Sequence, residues 1–193
     1  MDNREKIMQC AEQLFYEKGY DATGVQEIVD RAGITKPTLY YYFGSKIGLL
    51  QDIMEIKMGQ LRQSILQVKE QEGELKEKLY AMADLLGTFF QEDHGFYMLM
   101  MAMFYSAREN EAYQAVAPYI HEFYRNVVGI FETSFACEED CQRIAISFLG
   151  AMNEYLVWLY ERNQLKKENG KEDHPQPHVM VDQFLYGVTG PVK

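Results

Sequence analysis

The sequence predicts an all-α fold, and three observations carry that reading. Apolar residues recur at three- and four-residue spacing along almost the whole chain. No stretch alternates polar and apolar as a half-buried strand would. Glycines and hydroxyl residues punctuate the periodic segments where helices need stops and caps.

The first helix is carried by Ile7, Cys10, Ala11, Leu14 and Phe15, with Gly19 as its stop. In "ATGVQEIVDRAG", Thr23 and Gln26 have the spacing of a capping box. Val25, Ile28 and Val29 point inward, and Gly33 ends a very short second helix. Thr35 can cap a third helix, with Pro37 tolerated in its first turn, where a missing N–H has no helical partner anyway. Gly44 stops it and Ser45 opens a long fourth helix through Leu50, Met54, Met58, Leu61, Ile65 and Val68. Further helices are expected near 74–92, 95–109, 111–135, 138–163 and 178–188, with breaks at Gly95, at "AREN" (107–110) and at the polar run 162–178.

Composition bounds the function. The chain has 193 residues, 47% of them hydrophobic, enough for one sizeable core or for a small module plus a larger domain. "MDNREKIMQC" is charged and lacks the apolar core of a signal peptide. The longest apolar stretch, "GFYMLMMAMFYSA", is too short to span a membrane and suits a buried helix. Three cysteines, Cys10, Cys137 and Cys141, do not suggest a disulfide framework, so a reducing cytoplasm is the simple expectation. Charge is unevenly spread. Residues 1–62 hold 8 Lys+Arg against 9 Asp+Glu; residues 63–193 hold 11 against 20. Only the first third can approach a polyanion.

Two short helices joined by about four residues containing a glycine are the helix-turn-helix arrangement, here about 24–43. Within "GITKPTLYYYFGSK", Leu39 and Phe43 are four apart and face inward. That leaves Lys36, Pro37, Thr38, Tyr40, Tyr41 and Tyr42 around the outward faces. Threonine and tyrosine hydroxyls can bond phosphates, and a lysine can reach guanine acceptors or a phosphate. Lys46, at the start of the long helix, suits a contact to the nucleic-acid backbone. The spacing also arises in all-helical proteins that do not bind DNA, where such a helix is inert or binds protein.

At this point the segment "GYDATGVQEIVDRAGITKPTLYYYFGSKIGLL" resembles the DNA-binding domain of the TetR family of bacterial transcription regulators. The shared residues are Phe15 and Gly19, Thr23, Ile28 and Val29, Ala32 and Gly33, then Thr35, Lys36, Leu39, Tyr40, Phe43 and Lys46. The match covers about the first 62 residues. The resemblance implies a homodimer with an N-terminal three-helix DNA-binding domain (2–62) and a larger helical ligand-binding and dimerisation domain (63–193). It implies a pseudo-palindromic operator, a small-molecule inducer that shifts the long helix and releases DNA, and repression as the default. By position, Thr23 and Gln26 would sit at phosphates, Thr35, Lys36, Pro37, Thr38, Tyr40, Tyr41 and Tyr42 in the groove, and Lys46 on the backbone. Pro37 stands where glycine or alanine is common in the family, and Tyr42 where histidine is common.

The last two helices carry wide stripes, through Ile144, Phe148, Met152, Tyr155 and Leu159 and through Val181, Phe184, Leu185 and Val188. Phe148, Met152, Leu159, Val181, Phe184, Leu185 and Val188 are therefore candidates for a dimer interface, with ordinary core as the alternative. Tyr97, Met100, Met101, Phe104, Tyr105, Tyr155 and Trp158 are candidate ligand contacts, since methionine and aromatic groups repack around apolar guests; each is also a natural core residue. Glu109, Glu122 and Glu154 are possible counter-charges for a cationic ligand, or solvated acids that keep the domain off DNA. Cys137 and Cys141, with His121 or His94, have weak metal-sensor spacing, and His174 and His178 flank a "PQP" loop; no metal or cofactor is expected. No phosphate loop, nucleophile elbow or zinc-protease motif is present, so an enzyme is not expected. The competing reading is a protein-interaction dimer whose helix-turn-helix no longer binds DNA.

Overall fold

The computed structural model describes residues 2–166 and 176–187, without the side chains of residues 165 and 166. The described helices are α1 (Asn3–Lys18), α2 (Val25–Ala32), α3 (Lys36–Phe43), α4 (Lys46–Glu70), α5 (Leu75–Glu92), α6 (His94–Phe104), α7 (Glu111–Phe131), α8 (Glu138–Lys166) and α9 (Pro177–Tyr186). No strand occurs among the described residues.

Local chemistry accounts for most boundaries. Asp2 and Glu5 form a capping box at the start of α1: the Asp2 carboxylate accepts from the Glu5 amide at 2.8 Å, and the Glu5 carboxylate accepts from the Asp2 amide at 3.3 Å. Gly33 ends α2 in the left-handed region at φ 63°, where a side chain would be strained. Thr35 caps α3, and Ser45 Oγ accepts from the Gly48 amide at 3.0 Å to start α4.

Three expectations need correction. Thr23 and Gln26 form no capping box. The N-cap of α2 is Gly24, without a side-chain cap, and Gln26 instead donates to Asp30 at 2.7 Å. The break before α6 lies at Asp93, whose carboxylate accepts from the Phe96 amide; Gly95 stands inside the first helical turn. α6 stops at Phe104 and α7 at Phe131, each about one turn earlier than periodicity suggested, because residues 105–110 and 132–137 close as turns.

The chain divides into two compact units, Met1–Leu61 with Asp93–Glu122, and Arg62–Glu92 with Phe123–Lys193. In the first unit α1 packs on α2 and α6, and α2 on α3. Its core includes Ile7, Phe15, Ile28, Leu39, Leu50 and Phe96. Lys57 of α4 lies between Glu12 of α1 and Asp93, the cap of α6, and bonds both carboxylates. Burial, and the second carboxylate, push Glu12 above the usual range against the pull of Lys57. Burial also opposes the Lys57 charge, but Asp93 and Glu12 outweigh it and hold that ammonium's pKa above the ordinary lysine value.

In the second unit α5 packs on α8 and α9, and α8 on α9. Phe148 meets Phe131 and Phe184 edge-on, with ring centres 6.2 and 5.4 Å away. Lys76 pairs with Asp182, which also accepts from the Tyr80 hydroxyl. His178 stacks on Tyr80 and bonds Asp84. Phe148, Met152, Leu159 and Val181 are buried within this unit of the single chain, as core residues are. Phe184 and Leu185 are half-buried, and Val188 lies outside the described residues. The outward side of α8 carries other residues: Ile146 (60% exposed), Gly150 and Trp158.

Removing the cation between two carboxylates should be costly. Lys57→Met is expected to lower unfolding free energy by about 1–3 kcal/mol in urea titrations, less than for a fully buried pair because water still reaches the group. The Lys57 pKa is raised on folding, so its contribution is fully present below the unfolded lysine pKa of about 10.4 and is lost as pH rises through the folded value. The difference between wild type and variant should therefore fall away on that alkaline side, and in acid as Glu12 and Asp93 are protonated and the ammonium loses its partners.

Candidate nucleic-acid interface

α3 is eight residues long and hangs on two of them. Leu39 and Phe43 are buried, and the Arg4 guanidinium covers the Phe43 ring at 5.6 Å while bonding Asp52 at 2.7 Å. Everything else on the helix is turned outward. Tyr41 is 83% exposed, Tyr40 and Tyr42 are partly exposed, and the Tyr41 and Tyr42 rings meet edge-on at 5.3 Å. Lys36 and Pro37 are exposed, and Thr38 is half-buried. Thr35 Oγ1 accepts from the Thr38 amide at 3.4 Å and lies 2.9 Å from the Thr38 hydroxyl, which rigidifies the first turn. Hydroxyls, an ammonium and aromatic faces thus stand on one short helix held from behind. A row of such groups suits a polyanion with readable edges.

Two residues expected at the nucleic acid act from behind it. Thr23 is 1% exposed, and its hydroxyl donates to Gly19 O at 2.8 Å, with Leu14 O at 3.2 Å, so it closes the end of α1 and offers no group to a phosphate. Lys46 donates to Tyr20 O at 3.0 Å and Thr23 O at 3.1 Å, and its ammonium stands 4.1 Å from the Tyr20 ring centre. It ties the first turn of α4 to the α1–α2 loop. Gln26 remains exposed on α2, bonded to Asp30.

Two supporting residues escaped the sequence reading. Tyr20 packs on Phe15 at 5.1 Å and donates its hydroxyl to Glu111 at 2.9 Å; burial first, then that hydrogen bond, pushes its phenol well above the usual range. Arg4 was missed because its partners are far along the chain. No spacing rule joins Tyr20 to Glu111, 91 positions away.

The ligand candidates separate. Tyr97 and Met100 are core of the first unit, Met101 and Phe104 are half-buried, and Tyr105 is 71% exposed. Phe104 stacks on Tyr113 at 6.0 Å and meets His121 edge-on. Tyr155 and Trp158 belong to the second unit and stack on one another at 6.4 Å, with the Tyr155 hydroxyl accepting from the Gln176 amide. Glu109 and Glu154 are exposed and Glu122 half-buried. Cys141 is buried with its thiol 3.6 Å from Phe135 O, and Cys137 is exposed. Among the described residues no group of three or more His, Cys, Asp or Glu is placed to hold a metal ion; His174 lies outside them. No described helix is long and apolar enough to cross a membrane.

Comparison with known proteins points the same way as the geometry. Residues 7–53 match the model of the family described as bacterial regulatory proteins, tetR family. The HTH-type transcriptional activator FasR of Mycolicibacterium smegmatis is 29% identical over 99 residues, covering 51% of this chain and 45% of FasR, so the chain spans less than half of that relative. The HTH-type transcriptional regulator LmrA of Bacillus subtilis is 28% identical over 160 residues, covering 79% of this chain and 83% of LmrA. Among solved structures, the transcriptional regulator FadR from Bacillus subtilis, in complex with stearoyl-CoA, superposes with a TM-score of 0.77 at 18% identity, over 95% of this chain and 98% of its own.

Thr23→Val keeps the shape and removes the donor. It should cost about 1–3 kcal/mol of stability, because Gly19 O and Leu14 O lose their shared partner. Tyr41→Ala, at an exposed position, should change stability by less than about 0.5 kcal/mol. Thermal melts of the two variants check both.

Proposed function

Because this chain belongs to the TetR family of bacterial regulatory proteins by its residues 7–53, we propose that it is a ligand-responsive transcription regulator that binds a pseudo-palindromic operator as a homodimer. DNA binding is assigned to residues 2–62, and ligand binding and dimerisation to 63–193. One observation carries the reading: α3 is anchored by Leu39 and Phe43 and turns Lys36, Thr38 and three tyrosines outward. A helix of that kind, preceded by a short helix and a glycine turn, fits a major groove. Gln26, Thr35 and Pro37 stand beside these residues, while Thr23 and Lys46 hold the loop that presents them.

Self-association is supported by the apolar outward side of α8 in the second unit. Ile146, Gly150 and Val157 fall on one stripe of the helix, with Trp158 beside it, and glycine permits close approach of a second helix. These residues replace the buried stripe as the interface we assign. The ligand is apolar or aromatic. FadR, which shares the fold, was solved with an acyl-CoA, and the methionine- and aromatic-rich α6 has the composition of an adaptable lining. Repression is the sign we assign, because a dimer seated on an operator obstructs polymerase with nothing further required of it. FasR, an activator by name, matches over half of this chain, so a promoter–reporter fusion in cells with and without the gene decides that sign.

The direct test is footprinting on the DNA upstream of the gene across a salt series. Two half-sites about one helical turn apart, roughly 34–36 Å, are expected. Tyr41→Ala and Lys36→Ala should weaken binding at least about tenfold with melting unchanged, consistent with roughly 1–3 kcal/mol per good contact. With near-neutral residues 1–62, few counterions are released, so the salt slope should be shallow. No specific binding at any salt, with random operator libraries also negative, would leave α3 as a protein-binding surface.

A further inference from the structure

Within the first unit, a groove of about 600 Å³ runs between the C-terminal end of α1 and the outer side of α6. Its floor is apolar: Phe15, Met98, Leu99, Ala102 and Met103. Polar contacts close it at one end. The Tyr20 hydroxyl donates to Glu111, and Asn110 donates to Asp21 at 2.7 Å. Beyond the groove, the Lys57 bridge between Glu12 and Asp93 joins the same two helices.

The charges around this groove are unequal. Lys18 is occupied by Glu27, and Glu17 by Arg31. Asp21 and Glu111 are bonded only to neutral donors; among the described residues neither has an ammonium or guanidinium partner. Both carboxylates help to hold the Tyr20 phenol high, after burial and the Glu111 hydrogen bond. An anion placed here meets two unneutralised acids. A neutral apolar molecule fills the floor and leaves them unused. A molecule with an apolar body and one positive head satisfies both parts.

We infer that this groove is a binding site for an amphiphilic monocation, its apolar chain on Met98, Ala102 and Met103 and its head beside Asp21, with Glu111 one hydrogen bond away through the Tyr20 hydroxyl. Occupancy wedges α1 away from α6 and competes with the Asn110–Asp21 and Tyr20–Glu111 contacts. Since Tyr20 also carries the carbonyl that holds Lys46, the wedge acts on the loop that presents α2 and α3. Binding stands independently of the DNA-binding reading above; the consequence for operator affinity rests on it.

The test is calorimetry on the full-length protein with decyltrimethylammonium below its micelle concentration, and with decanoate and 1-decanol as anionic and neutral probes of the same chain length. One decyltrimethylammonium per protomer is expected, with decanoate at least about tenfold weaker. Ala102→Trp fills an exposed position in the groove and should lower affinity at least about tenfold. Asp21→Asn should lower affinity for the cation several-fold and leave 1-decanol unchanged. If Ala102→Trp loses its helical melt, the milder Ala102→Leu serves, with a smaller loss expected. Equal binding of decanoate, or unchanged cation affinity in a folded groove-filling variant, overturns the site. Operator binding by fluorescence anisotropy, with and without the cation, is a separate readout. A calorimetric site with unaltered operator affinity overturns the wedge and leaves the site. Absence of operator binding altogether counts against the DNA-binding reading and not against the groove.

Discussion

The Lys46 ammonium is the point on which the outward presentation of α3 depends. Three chain segments meet there: the end of α1 through Tyr20, the loop before α2 through Thr23, and the first turn of α4. A lysine is suited to this because its three donors radiate from one point and reach two carbonyls while its charge rests against an aromatic face. Thr23 completes the joint from the other side by closing onto Gly19 O and Leu14 O. With the loop held in this way, Leu39 and Phe43 need only anchor α3 from below, and its polar residues are left for other work.

The same unit couples that joint to α6 and to the first half of α7 through polar contacts rather than through apolar packing alone. The Lys57 bridge places one cation between two partly buried carboxylates, an arrangement that is sensitive to loss of the cation and tolerant of little displacement. The hydrogen bond from Tyr20 to Glu111 adds a contact at the far end of α1. Hydrogen bonds of this kind have narrow geometric ranges, so shifting α6 against α1 by an ångström or two breaks several together, whereas apolar surfaces slide at small cost.

Charge is spread unequally between the two sequence regions. Residues 1–62 are close to neutral, so under the proposed function attraction to DNA would depend on placed groups such as Lys36 and the tyrosine hydroxyls more than on a general positive field. Residues 63–193 carry the excess of acids, which disfavours their approach to phosphates and limits the ways in which the chain can sit on a duplex.

What the sequence alone determined was much of what is written in short range, though not the cap of α2 or the ends of α6 and α7. Periodicity placed the helices, Gly33 and Thr35 set the turn and cap around α3, and the four-residue spacing of Leu39 and Phe43 told which side of that helix is buried. These are local signals, since a helix repeats every few residues and a cap acts within one turn. Tertiary structure decided the rest. Thr23 reads as a cap from its spacing to Gln26 and becomes a buried joint only because Gly19 O and Leu14 O come within reach. Phe148, Met152, Leu159 and Val181 read as a stripe of the kind that joins subunits and become core because aromatic and aliphatic side chains from other helices of the same unit cover them. The bridges from Lys57 to Asp93 and from Tyr20 to Glu111 span 36 and 91 positions. No periodicity links residues so far apart; only the packing of helices brings their charges and hydroxyls together.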